Sequence, residues 1–198
     1  MRERSCEKFG IFGGTFNPPH MAHLLAAEGV RDHLRLNKIL FVPAAIPPHK
    51  LKEDVIPVQH RLEMVRLAIQ GNPSFELSDI EVRRKGPSYT IDTVRELKRK
   101  EPDCEFHLIM GIDLLIDFET WRDPDKILKE CKLVAMNRPG FDLGFVDKDL
   151  LARVELVNVP SIDISSTNIR RRVKSGRSIR YLVPVAVENY IRENSIYL

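Results

Sequence analysis

The feature that most restricts this chain lies near its start. A short apolar run, Phe9 to Phe12, ends in Gly13 and Gly14, and from Met21 onward Leu24, Leu25 and Ala27 set a helical pattern. A second apolar run, Ile39 to Val42, follows and is closed by Pro43. Two strands joined through one helix pair in parallel by a right-handed crossover. Parallel pairing buries both faces of a sheet, so helices are expected above and below it.

The alternation continues along the chain. Leu62, Val65 and Ile69 recur at helical spacing and Gly71 supplies a stop. Phe75 to Val82 reads as strand, Thr90 to Lys100 as helix, and Phe106 to Met110 as a buried strand before Gly111. Leu133 to Met136 and Val154 to Val157 add strands. Ser166 is expected to cap a helix carrying Ile169 and Val173 as far as Gly176, and Pro184 to open a last helix through Val187 and Ile191. No repeat or composition break interrupts the 198 residues. The expected fold is α/β: one Rossmann-like, doubly wound domain over residues 1–198, with a mostly parallel sheet and helices on both faces. Its C-terminal part, from about residue 160, is expected to be helical and packed on the same core. Two long irregular stretches, Pro43 to Pro57 and Pro139 to Lys148, exceed ordinary connections, and the first carries His49 and Lys50 as a candidate lid.

Composition narrows the partners. With 31 Lys and Arg against 28 Asp and Glu, a formal charge of +3 gives no strong field for nucleic acid or membrane. Cys6, Cys104 and Cys131 are odd in number and far apart, which suits reduced thiols rather than a disulfide framework or a Cys-x-x-Cys metal site. The N-terminal apolar stretch is too short for a signal core, and no run approaches the roughly 18 apolar residues of a membrane span. A cytoplasmic location is expected.

In an open parallel sheet, ligands bind beyond the carboxyl ends of strands, and a glycine turn there lets the backbone approach a phosphate. Gly13 and Gly14 occupy that position, and the following helix turns its N-H groups and positive dipole end toward the same place. His20 and His23, three apart, fall on one face of its first turn. Two imidazoles beside a phosphate can donate hydrogen bonds to oxygens that gain charge during phosphoryl or nucleotidyl transfer. An arbitrary pair at this spacing is more often a surface or capping pair; the glycine turn favours the functional reading. A zinc site lacks a third ligand at suitable spacing, and neither Gly-Lys-Ser/Thr nor Gly-x-Gly-x-x-Gly is spelled here, which disfavours a kinase or a dehydrogenase.

The run GGTFNPPHMAH and the later ISSTNIR resemble the phosphate motifs of the cytidylyltransferase-like nucleotidyltransferase superfamily. Within it, PAAIPPHK, RLEMVRLAI, KGPSYTIDT, the segment from Met110 to Trp121, RPG and YLVP are similar, in order, to the bacterial nicotinate mononucleotide adenylyltransferase (nicotinate-nucleotide adenylyltransferase) family. The superfamily pattern has glycine before the second histidine; this chain has Ala22.

The resemblance implies adenylyl transfer from ATP to nicotinate mononucleotide, giving deamido-NAD and pyrophosphate in NAD biosynthesis. By the same resemblance His20 and His23 are the catalytic pair. Gly13, Gly14, Thr15, Ser165, Ser166, Thr167 and Arg170 would bind the ATP phosphates, with Gly111 and Asp113 on the adenosine side. Asn17, Lys50, Ser88, Tyr89, Thr90 and Trp121 would bind nicotinate mononucleotide, Trp121 by stacking on the pyridine ring. Backbone N-H groups around Thr90 and after Trp121 would favour the acid over the amide, because a carboxylate only accepts hydrogen bonds. The partners implied are these two small molecules, with no nucleic acid, no membrane and a homo-oligomer allowed. A divalent cation such as Mg2+ would come with ATP, and no metal would be held by the protein alone. The rival readings are another nucleotidyltransferase of the superfamily, such as pantetheine phosphate adenylyltransferase, and, more remotely, a non-catalytic nucleotide- or RNA-binding module using the cations from Arg170 to Arg180.

Overall fold

A computed structural model describes residues 6–46, 55–84, 86–137 and 146–198. Its centre is a six-stranded sheet of β1 (Lys8–Gly14), β2 (Lys38–Pro43), β3 (Phe75–Leu77), β4 (Glu105–Gly111), β5 (Lys132–Met136) and β6 (Val154–Val157). The spatial order is β3-β2-β1-β4-β5-β6, and every neighbouring pair is parallel. This is the order of doubly wound dinucleotide-binding sheets.

Side-chain alternation explains why the sheet needs two layers of helix. Phe9, Ile11, Leu40, Val42, Leu108 and Leu133 point to one core, which includes Ile91, Val94 and Leu97 of α4 (Thr90–Lys100) and Ile127 of α5 (Pro124–Glu130). Phe12, Ile39, Phe41, Ile109 and Val134 point the other way, to Ala27 and Val30 of α1 (Met21–Leu34) and Val65 and Ile69 of α2 (Val58–Ile69). A third cluster joins the far side of α2 to α7 (Ser166–Lys174) and α8 (Val185–Glu193) through Met64, Ile169, Val187 and Ile191. Gly10 sits where β1 is most crowded: a Cβ there would come within 2.6 Å of both the Ile39 and Ile109 side chains.

Two expectations need correction. Of the stretch Phe75 to Val82, only Phe75–Leu77 is strand, and Ile80–Arg83 forms the short helix α3. Ser78 N-H still donates to Phe41 O, but the Val82 and Arg83 N-H groups turn back onto Asp79 O. Ile80 is thereby buried in the core shared with α4, a tertiary pull that alternation along the chain does not reveal. The cap of α7 is Ser165 rather than Ser166, its hydroxyl accepting the Asn168 N-H at 3.2 Å. Of the irregular stretches, residues 47–54 and 138–145 lie outside the described residues. Among the described residues, no helix is long and apolar enough to cross a membrane.

Candidate active site

β1 and β4 are neighbours, but the chain leaves them for different partners, so their carboxyl ends flank the point where the strand order reverses. A cavity of about 930 Å3 opens there. Gly13, Gly14 and Thr15 line it from the end of β1, His20 and His23 from the start of α1, and Gly111 and Asp113 from the end of β4. Ser165, Ser166, Thr167 and Arg170 close the opposite wall from α7, so the whole donor set expected from the sequence meets in one space. Asn17, expected on the acceptor side, and Ala22 also line it.

The glycines have separate reasons. A Cβ at Gly13 would meet no described atom within 4 Å, whereas a Cβ at Gly14 would press on the Phe16 ring at 3.0 Å. At Gly111 a Cβ would collide with the Asp113 carboxylate, which folds back over that position. Phe16 is itself held at φ 49°, a left-handed conformation unfavourable for a bulky residue, with its ring buried against Phe12, Phe41 and His23. The turn that brings the chain from β1 to α1 is therefore set by aromatic packing beneath it.

His20 is the N-cap residue of α1, one position ahead of the first turn, and its ring stacks on His23 with centroids 3.6 Å apart. The His20 backbone N-H donates to His23 Nδ1 at 3.1 Å. An Nδ1 that accepts leaves the hydrogen of a neutral imidazole on Nε2, so His23 is a donor through Nε2. Burial pushes the His20 pKa down to about 4, which keeps its ring neutral near pH 7. Its Nδ1 is buried with no hydrogen-bond partner among the described residues, so contact with anything in the cavity falls to Nε2. The start of α1 is less open than expected, because the Met21 N-H donates to Leu182 O at 2.9 Å. At α7 the Ser166 and Thr167 N-H groups precede the first intrahelical bond, as those of any helix start do.

The loop from Thr15 to Pro18 is gripped by side chains that are distant in sequence. Arg61 of α2 is 1% exposed and donates to the carbonyls of Thr15 at 2.9 Å, Ala44 at 2.7 Å, Ile56 at 3.2 Å and Ala45 at 3.3 Å. Arg170 donates to Asn17 O at 3.0 Å, Ser166 Oγ to Pro18 O at 2.8 Å, and Tyr197 Oη to Asn17 Oδ1 at 2.7 Å. Two of the expected phosphate ligands, Ser166 and Arg170, thus also hold the histidine loop. Arg61 and Tyr197 were not singled out by the sequence. Arg61 lies in a helical apolar pattern that conceals it, and Tyr197 lies beyond the last helix.

The remaining expected acceptor residues, Ser88, Tyr89, Thr90 and Trp121, line a second, smaller cavity of about 280 Å3 with Arg122, while Lys50 falls outside the described residues. Trp121 leans on Phe118, with ring centroids 5.4 Å apart. Arg122, also missed, stacks its guanidinium 4.6 Å from the Tyr89 ring centre. The Tyr89 carbonyl and Thr93 hydroxyl accept from Arg84, and Thr93 donates to buried Glu81 at 2.6 Å, which fixes the entry of α4. The loop after β2 ties the two cavities together: Ala45 gives its carbonyl to Arg61 and its N-H to Ser88 Oγ.

A parallel doubly wound sheet with paired histidines at its first turn and a second helix start lining the same cavity is the arrangement of a nucleotidyltransferase class. Residues 11–172 match the cytidylyltransferase-like family model. The chain is 44% identical to a protein of Thermomicrobium roseum over 96% of this chain and 91% of that one, and 46% identical to one of Geobacter metallireducens over 95% and 97%. Both carry the name probable nicotinate-nucleotide adenylyltransferase. The chain belongs to the nicotinate-nucleotide adenylyltransferase family. Its fold is that of the Plasmodium falciparum nicotinic acid mononucleotide adenylyltransferase complexed with NaAD, with a TM-score of 0.80 at 21% identity over 96% of this chain and 97% of that one.

Proposed function

We propose that this protein transfers the adenylyl group of ATP to nicotinate mononucleotide, yielding deamido-NAD and pyrophosphate. What supports the assignment to this cavity is the convergence on it of two turns, Gly13 to Thr15 and Ser165 to Thr167, together with His20 and His23.

An oxygen of the acceptor's 5'-phosphate attacks the α-phosphorus of ATP. The new oxygen–phosphorus bond forms as the bond to the bridging oxygen breaks, and that electron pair leaves with pyrophosphate. The attacking phosphate is ionised near pH 7, so alignment and charge stabilisation replace a general base. Gly13, Gly14, Thr15, Ser165, Ser166, Thr167 and Arg170 hold the triphosphate, while His20 and His23 donate to oxygens that gain charge. Gly111 and Asp113 face the adenosine. Among the described residues, no group of three or more His, Cys, Asp and Glu side chains is placed to hold a metal ion. A divalent ion such as Mg2+ would be brought in with ATP and would offset leaving-group charge.

Trp121, Tyr89, Thr90 and Ser88 receive the pyridine end of the acceptor, and Asn17 and Lys50 its phosphate. The Arg122 guanidinium at the rim of the same small cavity adds attraction for a carboxylate over an amide. A pyrophosphate-release assay with ATP and three acceptors tests the reading. Nicotinate mononucleotide is expected to turn over best, nicotinamide mononucleotide weakly and phosphopantetheine not at all. Turnover of phosphopantetheine alone would move the protein elsewhere in the superfamily.

A further inference from the structure

Among the described residues, the largest fully buried side chain is a charged one, Arg61, on the same face of α2 as Met64, Val65 and Ala68. Its guanidinium donates to the carbonyls of Thr15, Ala44, Ala45 and Ile56. Those bonds occupy its donors, but a carbonyl carries a dipole and no net charge, so one positive charge is left over. Buried charges are ordinarily matched by an opposite charge, because withdrawing an ion from water is costly. Among the described residues no carboxylate acts on Arg61. The titratable group that does, the Tyr197 hydroxyl, stays protonated and neutral, because burial raises its pKa.

The place of this charge decides what it can act on. Thr15, whose carbonyl Arg61 holds at 2.9 Å, lines the main cavity, and so does Val55, the neighbour of Ile56. Arg61 itself lies one peptide behind that wall. Across a layer of protein that excludes water, the field of a unit charge is screened far less than in solvent. Among the described residues that line the cavity, Arg170 is the single Lys or Arg, too little for a ligand with several negative charges. We infer that Arg61 is a buried counter-charge for the triphosphate: it holds the turn at Thr15 through hydrogen bonds, and its unmatched charge attracts the anion without touching it. The inference rests on the reading above that the cavity takes ATP.

The test measures the affinity of the full chain for adenosine, AMP, ADP and ATP by calorimetry, without divalent ion so that charge rises along the series. Turnover of ATP and nicotinate mononucleotide by the unaltered protein, with Mg2+, is assayed first, and its absence overturns the functional reading whatever the series shows. Arg61→Gln keeps donor hydrogens and loses the charge, whereas Arg61→Lys keeps the charge with fewer donors than arginine. Arg61→Gln should bind ATP roughly tenfold or more weakly, ADP and AMP by successively smaller factors, and adenosine within about twofold of the parent. Arg61→Lys should stay within about threefold of the parent for ATP. A strut acting only through its hydrogen bonds would instead weaken adenosine and ATP together, and Arg61→Lys would lose as much as Arg61→Gln. Either result overturns the inference. If Arg61→Gln does not fold, Arg170→Gln takes its place. With the cavity-lining cation gone, ATP should still bind at least about tenfold more tightly than adenosine, because the charge behind the wall remains. Equal affinities there overturn the inference.

Discussion

A charged imidazole beside a triphosphate would attract substrate and transition state alike, whereas a neutral N-H aimed at oxygens that gain charge favours the transition state. His20, held neutral by burial, and His23, donating through Nε2, suit the second role. His20→Ala should therefore slow turnover roughly tenfold to a thousandfold, about 1.4 to 4 kcal/mol, with a smaller change in the KM for ATP. Single-turnover kinetics at saturating ATP measure it, and unchanged turnover would remove His20 from the chemistry. At the proposed acceptor end, Arg122→Gln should lower the preference for nicotinate over nicotinamide mononucleotide by about two- to fivefold in kcat/KM, the scale of an exposed charge contact. The spacing of His20 and His23 beside a glycine turn was legible in the sequence. Their stacking was not, because it follows from the packing of Phe12 and Phe16 against His23.

Elements were legible where apolar period and stop signals agree, as in β1, β2, α4 and β4. They were not where a tertiary partner decides: Ile80 joins the α4 core and ends the edge strand early. Arg61 shows the same limit within a correctly read helix, since its four carbonyl partners belong to backbone whose position no residue pattern encodes. Burial lowers its pKa, but an arginine remains charged, so removing it leaves those carbonyls without their donor. Arg61→Met, similar in bulk, should destabilise by at least about 2 kcal/mol, because unsatisfied buried acceptors carry that penalty. At the centre of the sheet, Gly10→Ala should cost about 1 to 3 kcal/mol by overpacking against Ile39 and Ile109. Urea titration checks both: the midpoint falls while the slope is kept. A Gly10→Ala midpoint equal to the parent's would mean that the two isoleucines yield freely.

At the scale of the molecule, the site is assembled from residues 15–20, 61, 166–170 and 197, so the fold and the candidate site share the same buried and half-buried polar groups. Their protonation therefore appears in global stability. His20 titrates near 6.5 when unfolded and at about 4 when folded, so between those values the unfolded chain binds more protons. The stabilising contribution is complete above pH 6.5 and is lost as pH falls toward 4. A shift of that size corresponds to roughly 3 kcal/mol. Burial lowers His107 as well, which adds in the same direction. Glu28 and Glu130, lowered chiefly by hydrogen bonds from Arg31 and Lys98, lose their contributions only at lower pH, as they protonate below the ordinary carboxylate range. Acid destabilisation should thus begin with the histidines and continue with the carboxylates. Melting temperatures between pH 7.5 and 4.5 should fall more steeply for the parent than for His20→Gln, which cannot take up the proton. Parallel curves would mean that His20 is not the buried neutral group on which the charge state of the phosphate site depends.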